Sequence, residues 1–205
     1  LAPGLYLVAT PIGHLADLTV RAIAVLARAD IVYCEDTRHS RTLLEAYGIG
    51  ARLRPYHEHN GEAERPRVLA ALADGKRVAL ISDAGTPLIS DPGYKLVREA
   101  AAAGANVVSI PGPSAVLAAL ASAGLPTDTF FFAGFLPPRQ AARRRRIAEL
   151  AAMPATLIIF ESPGRTAECL SDLASGLGDR PGVVARELTK RFEEIVRAPL
   201  ATLAA

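Results

Sequence analysis

The sequence has few cysteines and no long apolar run, and both absences limit what the protein can be. Cys34 and Cys169 are the only cysteines, too few for a disulfide framework, so we expect a reducing, cytoplasmic setting. No uninterrupted apolar run reaches the roughly 18 residues of a membrane span, so we expect no membrane association. An apolar segment at residues 5–9 follows the N-terminus almost directly, without a basic segment before it, which does not favour a signal peptide.

Three common chemical signatures are also missing. No GxxxxGK[ST] occurs, which argues against a P-loop NTPase, and no GxGxxG follows the first apolar run, so the usual dinucleotide fingerprint is absent. No GxSxG nucleophile elbow is present either. His57 and His59 lack an accompanying cysteine cluster, so we predict a polar surface loop there and no metal site.

Strand-like and helix-like segments alternate along the 205 residues, which predicts an α/β fold. We expect a mostly parallel N-terminal sheet with flanking helices in residues 1–115, and a mixed α/β domain in residues 116–205. The predicted strands are residues 5–9, 31–34, 77–81, 107–110, 130–132, 156–160, 183–185 and 193–197. The predicted helices are residues 18–29, 41–47, 62–73, 96–103, 115–123, 141–152 and 166–177.

Unusual loops follow several of the predicted strands. They read TPIGHLAD from Thr10, EDTRHSR from Glu35, SDAGTPLISDPG from Ser82 and PGPSA from Pro111. Because the carboxyl ends of parallel strands meet at one edge of a sheet, we expect these loops to share a crevice. Gly85 would let a ligand approach the backbone closely, and Asp83 and Thr86 would supply a charge and a hydroxyl. Without phosphate-binding signatures, such a crevice suits a neutral or cationic ligand with a nucleoside part.

Seven motifs occur in order along nearly the whole chain: ATPIGHLAD, EDTRHSR, SDAGTPLISDPGYKLV, IPGPSA, GFLPPR, ESPGR and ARELTK. Together they resemble the ribosomal RNA small subunit methyltransferase I family, within the tetrapyrrole methylase superfamily. The resemblance implies a two-domain α/β homodimer that uses S-adenosyl-L-methionine to methylate the ribose 2′-hydroxyl of a cytidine in 16S rRNA. It also implies that the cofactor lies in the cleft between the domains. His14 departs from the family pattern, which usually has Asn there.

The resemblance further implies a set of cofactor contacts. They lie in the loop after the strand at 5–9, in the SDAGTPLISDPG loop, at the start of the helix after the strand at 107–110, and in the second domain. These residues are Pro11, Ile12, Asp83, Ala84, Gly85, Thr86, Pro87, Leu88, Ile89, Ser114, Ala115, Phe160 and Leu188. Ser114 has a second interpretation as a helix N-cap.

A ribose hydroxyl is a poor nucleophile until its proton leaves, so a general base would help the transfer. We consider Glu35, Asp36 and Lys190 as catalytic candidates, with Glu161 and Glu187 as further carboxylates. We expect the base to come from the EDTR or the ARELTK motif. Lys190 would qualify only if neighbouring arginines lowered its pKa. Glu187 has an equally good structural interpretation as an ion-pair partner of Arg186.

Five arginines lie within eight positions, from Arg139 to Arg146. They could bind RNA phosphates, or they could form a solvated helix face. With the resemblance in view, we predict that Arg38, Arg41, Arg139, Arg143, Arg144, Arg145 and Arg146 bind RNA.

Two other functions remain open from the sequence. One is a methyltransferase acting on a corrin or porphyrin precursor, and the other is a non-catalytic RNA-binding assembly factor that holds the cofactor. The family pattern continues past the position of Ala205 with a KGE-type motif and a last strand, so we also expect the second domain to be truncated.

Overall fold

The computed structural model describes residues 1–205 and contains two compact units, Leu1–Ser114 and Ala115–Ala205. The first unit contains one sheet with a hydrophobic core on each face, and the second unit contains two small sheets and its own core. No helix in the chain is both long and apolar enough to cross a membrane.

A five-stranded, fully parallel sheet forms the centre of the first unit, with strand order β3-β2-β4-β1-β5. The strands are β1 (Gly4–Val8), β2 (Ile31–Cys34), β3 (Leu53–Pro55), β4 (Arg77–Ile81) and β5 (Val107–Ile110). The helices between them are α1 (Val20–Leu26), α2 (Thr37–Ala46), α3 (Gly61–Ala73) and α4 (Tyr94–Ala102).

Side chains of β1 and β4 alternate between two separate cores, one on each face of the sheet. Tyr6 and Val8 pack with residues of α1 and α2 on one face. Leu5 and Leu80 pack with residues of α3 and α4 on the other. Because both faces are covered, the central strands are almost continuously apolar, as is usual in parallel sheets.

The second unit contains two small sheets. Strands β6 (Phe130–Phe135) and β7 (Thr156–Phe160) pair in parallel, and β8 (Pro181–Arg186) and β9 (Glu194–Pro199) form an antiparallel hairpin. Its helices are α5 (Ala115–Ala123), α6 (Gln140–Leu150), α7 (Thr166–Leu177) and α8 (Leu200–Ala204). Leu136, Ile147, Leu150 and Leu173 are among the residues that form its main core.

The fold class predicted from the sequence is confirmed, with differences at some element boundaries. The helix predicted over residues 18–29 is limited to α1, because Thr19 caps its N-terminus by accepting a hydrogen bond from the amide of Ala22. Helix α2 begins before the predicted residue 41, since Asp36 caps it at Thr37. Strand β3 and helix α8, with three and five residues, were not predicted.

Candidate functional site

Hydrogen bonds join the loops that follow β1, β4 and β5. Thr10 and Gly85 pair through both backbone amides, at N···O distances of 2.9 and 3.0 Å. The Thr10 hydroxyl donates to the carbonyl of Ser82 (3.0 Å), and the Thr86 hydroxyl donates to the carbonyl of Pro113 (3.1 Å). The loops that the sequence analysis singled out after β1, β4 and β5 are therefore hydrogen-bonded to one another at the carboxyl edge of the sheet.

The loop after β2 joins the same structure. The amide of Asp36 donates to the Asp83 carboxylate (3.1 Å), and the His39 ring donates from Nε2 to the Asp83 carbonyl (3.1 Å). Strands β1 and β4 are neighbours in the sheet. The connection from β1 to β2 runs toward one edge of the sheet, and the connection from β4 to β5 runs toward the other edge. The strand order therefore reverses between β1 and β4, and open α/β sheets bind ligands at such a switch point.

The loop after β4 has an unusual backbone. Gly85 has a φ of +84°, and Leu88 and Ser90 have positive φ angles of 74° and 65°. Two non-glycine residues in the left-handed region cost free energy, and such residues cluster at functional sites. A Cβ on Gly85 would lie 3.4 Å from the Ile12 side chain, so the backbone of the loop after β4 packs closely against the loop after β1.

Asp91 is a functional candidate that the sequence reasoning missed. Its pKa is raised to about 6, chiefly by burial and then by the charge of Glu35; a hydrogen bond with Ser82 lowers it in part, and the charge of Asp83 makes a smaller contribution that raises it. A carboxyl with a pKa near neutrality in a loop crevice is typical of a proton-transfer group. Its position in the SDAGTPLISDPG loop was visible in the sequence, but its proximity to Glu35 was not.

The structure gives the predicted base candidates different surroundings. Hydrogen bonds from the Arg38 backbone and side chain lower the pKa of Asp36, which caps α2 and is therefore a weak base. Glu35 is exposed at the end of β2 and lies close enough to Asp91 to act on its pKa. In the second unit, the Lys190 ammonium donates to Glu187 at 3.1 Å, and both side chains are about half exposed.

The ion pair expected between Glu187 and Arg186 is not the one observed. Arg186 pairs with Glu194 across the β8–β9 hairpin, at 2.5 Å, and Glu187 pairs with Lys190. Glu161, the other carboxylate considered, is held by Arg165 through two hydrogen bonds of 2.8 and 2.7 Å. Burial by itself would raise the pKa of Glu161, but the hydrogen bonds from Ser162 and Arg165 outweigh burial and lower it.

The predicted cofactor contacts of the first unit lie in the joined loops. Pro11 and Pro87 are buried and support the loops, whereas Ala84 and Ile89 are exposed at the edge. Ser114 ends the unit, directly before α5. Phe160, in the second unit, ends β7 and packs edge-on against Phe132, with ring centroids 4.8 Å apart.

The prediction that Arg143 binds RNA is wrong. Arg143 lies inside the second unit, where its Nε donates to Asp172 Oδ2 at 2.7 Å and both side chains are 1% exposed. Burial by itself would raise the pKa of Asp172, but the hydrogen bonds from Arg144 and Arg143 outweigh burial and lower this pKa. Arg143 also donates to the carbonyl of Pro138 (3.2 Å), so its guanidinium connects α6, α7 and the loop before α6.

The other arginines of the cluster remain at the surface. Arg139 and Arg145 are exposed, Arg144 donates to Asp172 while staying 59% exposed, and Arg146 pairs with Glu149. In the first unit Arg38 is almost fully exposed beside Asp36, and Arg41 is also exposed. Phosphate binding by these residues stays a prediction.

A groove of about 480 Å³ opens at the carboxyl ends of β6 and β7 in the second unit. The GFLPPR loop forms one wall and the ESPGR loop the other. Its lining residues are Phe135, Leu136, Pro137, Pro138, Glu161, Ser162 and Arg165.

Comparison with known proteins places this fold and site in a class. Residues 4–204 match the family described as tetrapyrrole (corrin/porphyrin) methylases. The uroporphyrin-III C-methyltransferase of Thermus thermophilus, solved in complex with S-adenosylhomocysteine, is 24% identical with a TM-score of 0.63, covering 98% of this chain and 90% of that one. At this identity the likeness concerns the fold. The protein is thus a methyltransferase of the tetrapyrrole methylase fold.

Curated relatives specify the family. The ribosomal RNA small subunit methyltransferase I of Mesorhizobium japonicum is 59% identical over 205 residues, which are all of this chain and 70% of that protein. The protein of the same name from Escherichia coli O157:H7 is 50% identical over 202 residues, covering 98% of this chain and 71% of the relative. The chain belongs to the ribosomal RNA small subunit methyltransferase I family.

Proposed function

We propose that this protein transfers a methyl group from S-adenosyl-L-methionine to the ribose 2′-hydroxyl of a cytidine in 16S rRNA of the small ribosomal subunit. The observation that carries this proposal is the set of hydrogen-bonded loops at the carboxyl edge of the first unit's sheet, which includes the loop that contains Asp91. The family membership of the chain supplies the substrate class, and the Thermus relative's bound S-adenosylhomocysteine supports the cofactor.

The residues present fit that cofactor. The loops after β4 and β5, SDAGTPLISDPG and PGPSA, contain no lysine or arginine, so they do not favour a phosphorylated cofactor. The carboxylates of Asp83 and Asp91 suit a cation, and Gly85, which has no side chain, allows a close approach to the loop backbone. When bound, S-adenosylmethionine supplies an electrophilic methyl group on a positively charged sulfur.

We assign the cofactor contacts of the first unit to the joined loops. Pro11 and Ile12 contribute from the loop after β1, and Ser114 from the loop after β5. The central loop contributes Asp83, Ala84, Gly85, Thr86, Pro87, Leu88 and Ile89. Ala115, Phe160 and Leu188 of the second unit are retained as contacts on the family resemblance.

Within this function Asp91 is the general base. Its carboxylate accepts the proton of the ribose 2′-hydroxyl while the hydroxyl oxygen forms its bond to the methyl carbon. A pKa of about 6 leaves most of the group ionised at neutral pH and still makes it more basic than an ordinary aspartate. Glu35 has a supporting role, because its charge keeps the Asp91 pKa high.

The exposed arginines would hold the RNA. Arg139, Arg144 and Arg145 present positive charge along α6, and Arg38 and Arg41 do so on α2. Phosphate contacts of this kind position the substrate and make binding depend on salt. Arg143 is excluded from this set by its burial.

The two alternative functions are less well supported. The curated matches at 48–59% identity carry the ribosomal RNA name, whereas the corrin and porphyrin enzymes are 20–24% identical. A cofactor-holding assembly factor without turnover does not match the names of the curated relatives, which are those of methyltransferases. A homodimer and a cytoplasmic location accompany the proposed function as further proposals.

The decisive experiment uses small ribosomal subunits from cells that lack this gene. We expect labelled methyl to pass from S-adenosylmethionine to one cytidine, which nuclease mapping then identifies as 2′-O-methylated. Transfer to a corrin precursor, or cofactor binding without any transfer, would replace the proposal with one of the alternatives.

A further inference from the structure

The groove of the second unit has no role in the mechanism described so far. It lies between the loops that follow β6 and β7, and its volume of about 480 Å³ falls within the ~300–1,000 Å³ usual for small-molecule sites. Its edge residue Phe135 is 56% exposed, which is high for a phenylalanine beside a cavity. The structure therefore presents an aromatic ring to whatever enters the groove.

The Phe135 ring belongs to a cluster of three aromatic rings. It packs against Phe160 with ring centroids 5.6 Å apart, and Phe160 in turn packs against Phe132. An exposed ring with such support is a stacking surface for a nucleobase, since every base has a π-face and stacking does not depend on sequence.

The opposite wall is polar and carries a pre-oriented acceptor. Glu161 Oε1 accepts hydrogen bonds from the Ser162 amide and hydroxyl and from Arg165, Oε2 accepts from Arg165, and the Cys169 thiol also bonds to the carboxylate. The carboxylate lines the groove and stays 9% exposed, so a donor that enters the groove can share Oε2 with Arg165. An exocyclic amino group, as on cytosine or adenine, is such a donor.

The charge around the groove matches a nucleic acid. The Pro137–Pro138 segment of the groove leads directly into α6, where Arg139 and Arg145 are exposed. An aromatic surface next to cationic side chains is the usual combination in single-stranded RNA binding.

We propose that this groove holds one unstacked nucleobase of the RNA substrate, with its face on Phe135 and an exocyclic amino group directed to Glu161. This inference rests on the proposed function, because it takes RNA as the substrate. It adds a base-recognition site in the second unit, next to Phe160, which is retained above as a cofactor contact.

The chain has no tryptophan, so one introduced tryptophan reports on its own surroundings. We would compare Phe135→Trp with the control Phe130→Trp, since Phe130 is a similarly exposed phenylalanine at the other end of β6. The probes are single-stranded oligocytidylate, oligouridylate and S-adenosylmethionine. We expect oligocytidylate to quench the Phe135→Trp emission saturably and more tightly than oligouridylate, and to leave Phe130→Trp unchanged. Equal affinity for the two oligonucleotides would overturn the role of Glu161, and quenching by S-adenosylmethionine alone would assign the groove to the cofactor.

Activity provides the second measurement. Phe135→Leu keeps an apolar side chain and removes the ring, and we expect kcat/KM for small subunits to fall roughly 5- to 150-fold. The affinity for S-adenosylmethionine, measured by calorimetry, should stay as in the wild type, and Phe130→Leu should retain normal kcat/KM. If the wild type methylates rRNA and Phe135→Leu has the same kcat/KM, the groove inference is overturned and the proposed function stands. A wild type that methylates no rRNA overturns the proposed function, whatever the oligonucleotides do.

Discussion

Arg143 and Asp172 form a buried ion pair, with Arg143 Nε 2.7 Å from Asp172 Oδ2. Arg143, Ile147 and Leu150 are buried at positions i, i+4 and i+7 of α6, so they share its inner face. Arg145 lies on the outer face, and Arg144, at the edge between the two faces, is 59% exposed while it also donates to Asp172. One run of arginines thus contains a structural residue and surface cations, and the two kinds should respond differently to substitution.

We expect Arg143→Met to destabilise the protein by roughly 3 kcal/mol, since removing one partner of a buried pair leaves a poorly compensated charge. Breaking a buried ion pair usually costs about 3–5 kcal/mol, and we expect the lower end of this range because Arg144 still donates to Asp172. Urea denaturation measures it. The double variant Arg143→Met/Asp172→Leu should recover part of the loss because it leaves no buried charge, and an Arg143→Met protein as stable as the wild type would contradict the structural role.

Neutralising the exposed arginines should change RNA binding and leave stability unaffected. The variant Arg139→Gln/Arg145→Gln removes two surface charges, so the slope of log K against log salt should fall in magnitude by ~0.7 per lost phosphate contact on single-stranded RNA. Filter binding over a salt series gives this slope. A slope equal to that of the wild type would mean that these side chains only solvate α6.

We expect Asp91→Asn to reduce kcat by ~10²–10⁴-fold, the usual contribution of a general base. In the wild type, kcat/KM should rise with pH through about 6 as Asp91 loses its proton. Glu35→Gln should move this limb to lower pH, because the Glu35 charge is one of the causes of the raised pKa. A pH profile without this limb, together with normal activity of Asp91→Asn, would exclude Asp91 as the base.

The same carboxyl should also make stability depend on pH. The pKa of Asp91 is raised from 3.8 to about 6 in the folded protein, so the native state binds the proton more tightly than the unfolded chain. The resulting stabilisation is present in full below pH 3.8 and is lost as the pH rises to about 6. Between the two ends of this pH window, the free energy of unfolding of the wild type should fall by about 1–2 kcal/mol more than that of Asp91→Asn. The value is modest because Asp91 is only partly buried. Denaturation curves measured at both ends of the window test it, and parallel pH profiles would contradict the assignment.

Gly85→Ala should weaken cofactor binding, and Gly48→Ala is its matched control. Both glycines have a positive φ, of 84° and 66°, so each substitution should cost ~1–2 kcal/mol of stability. Only the Gly85 Cβ would meet a neighbour, Ile12, since nothing lies near a Cβ at Gly48. Calorimetry with S-adenosylmethionine should show reduced affinity for Gly85→Ala alone. Equal affinities in the two variants would place the cofactor away from this loop.

The strands at 31–34, 77–81 and 107–110 were predicted at the observed bounds, because buried parallel strands are short apolar runs that end in turn residues. Strand β3 was missed because its three residues, Leu53, Arg54 and Pro55, form no apolar run. It exists through its hydrogen bonds to β2, which are long-range and leave no local signal.

The features of the site likewise fall into those that are local in the sequence and those that depend on the fold. The sequence by itself determined the α/β class, the loops at the sheet edge and the family motifs, since composition and motif order are local properties of the chain. Only the tertiary structure decided that Asp91 lies near Glu35, that Arg143 lies inside the second unit, and that Phe135 forms the edge of a groove. These properties depend on burial and on charges that are distant along the chain, and folding alone brings those together.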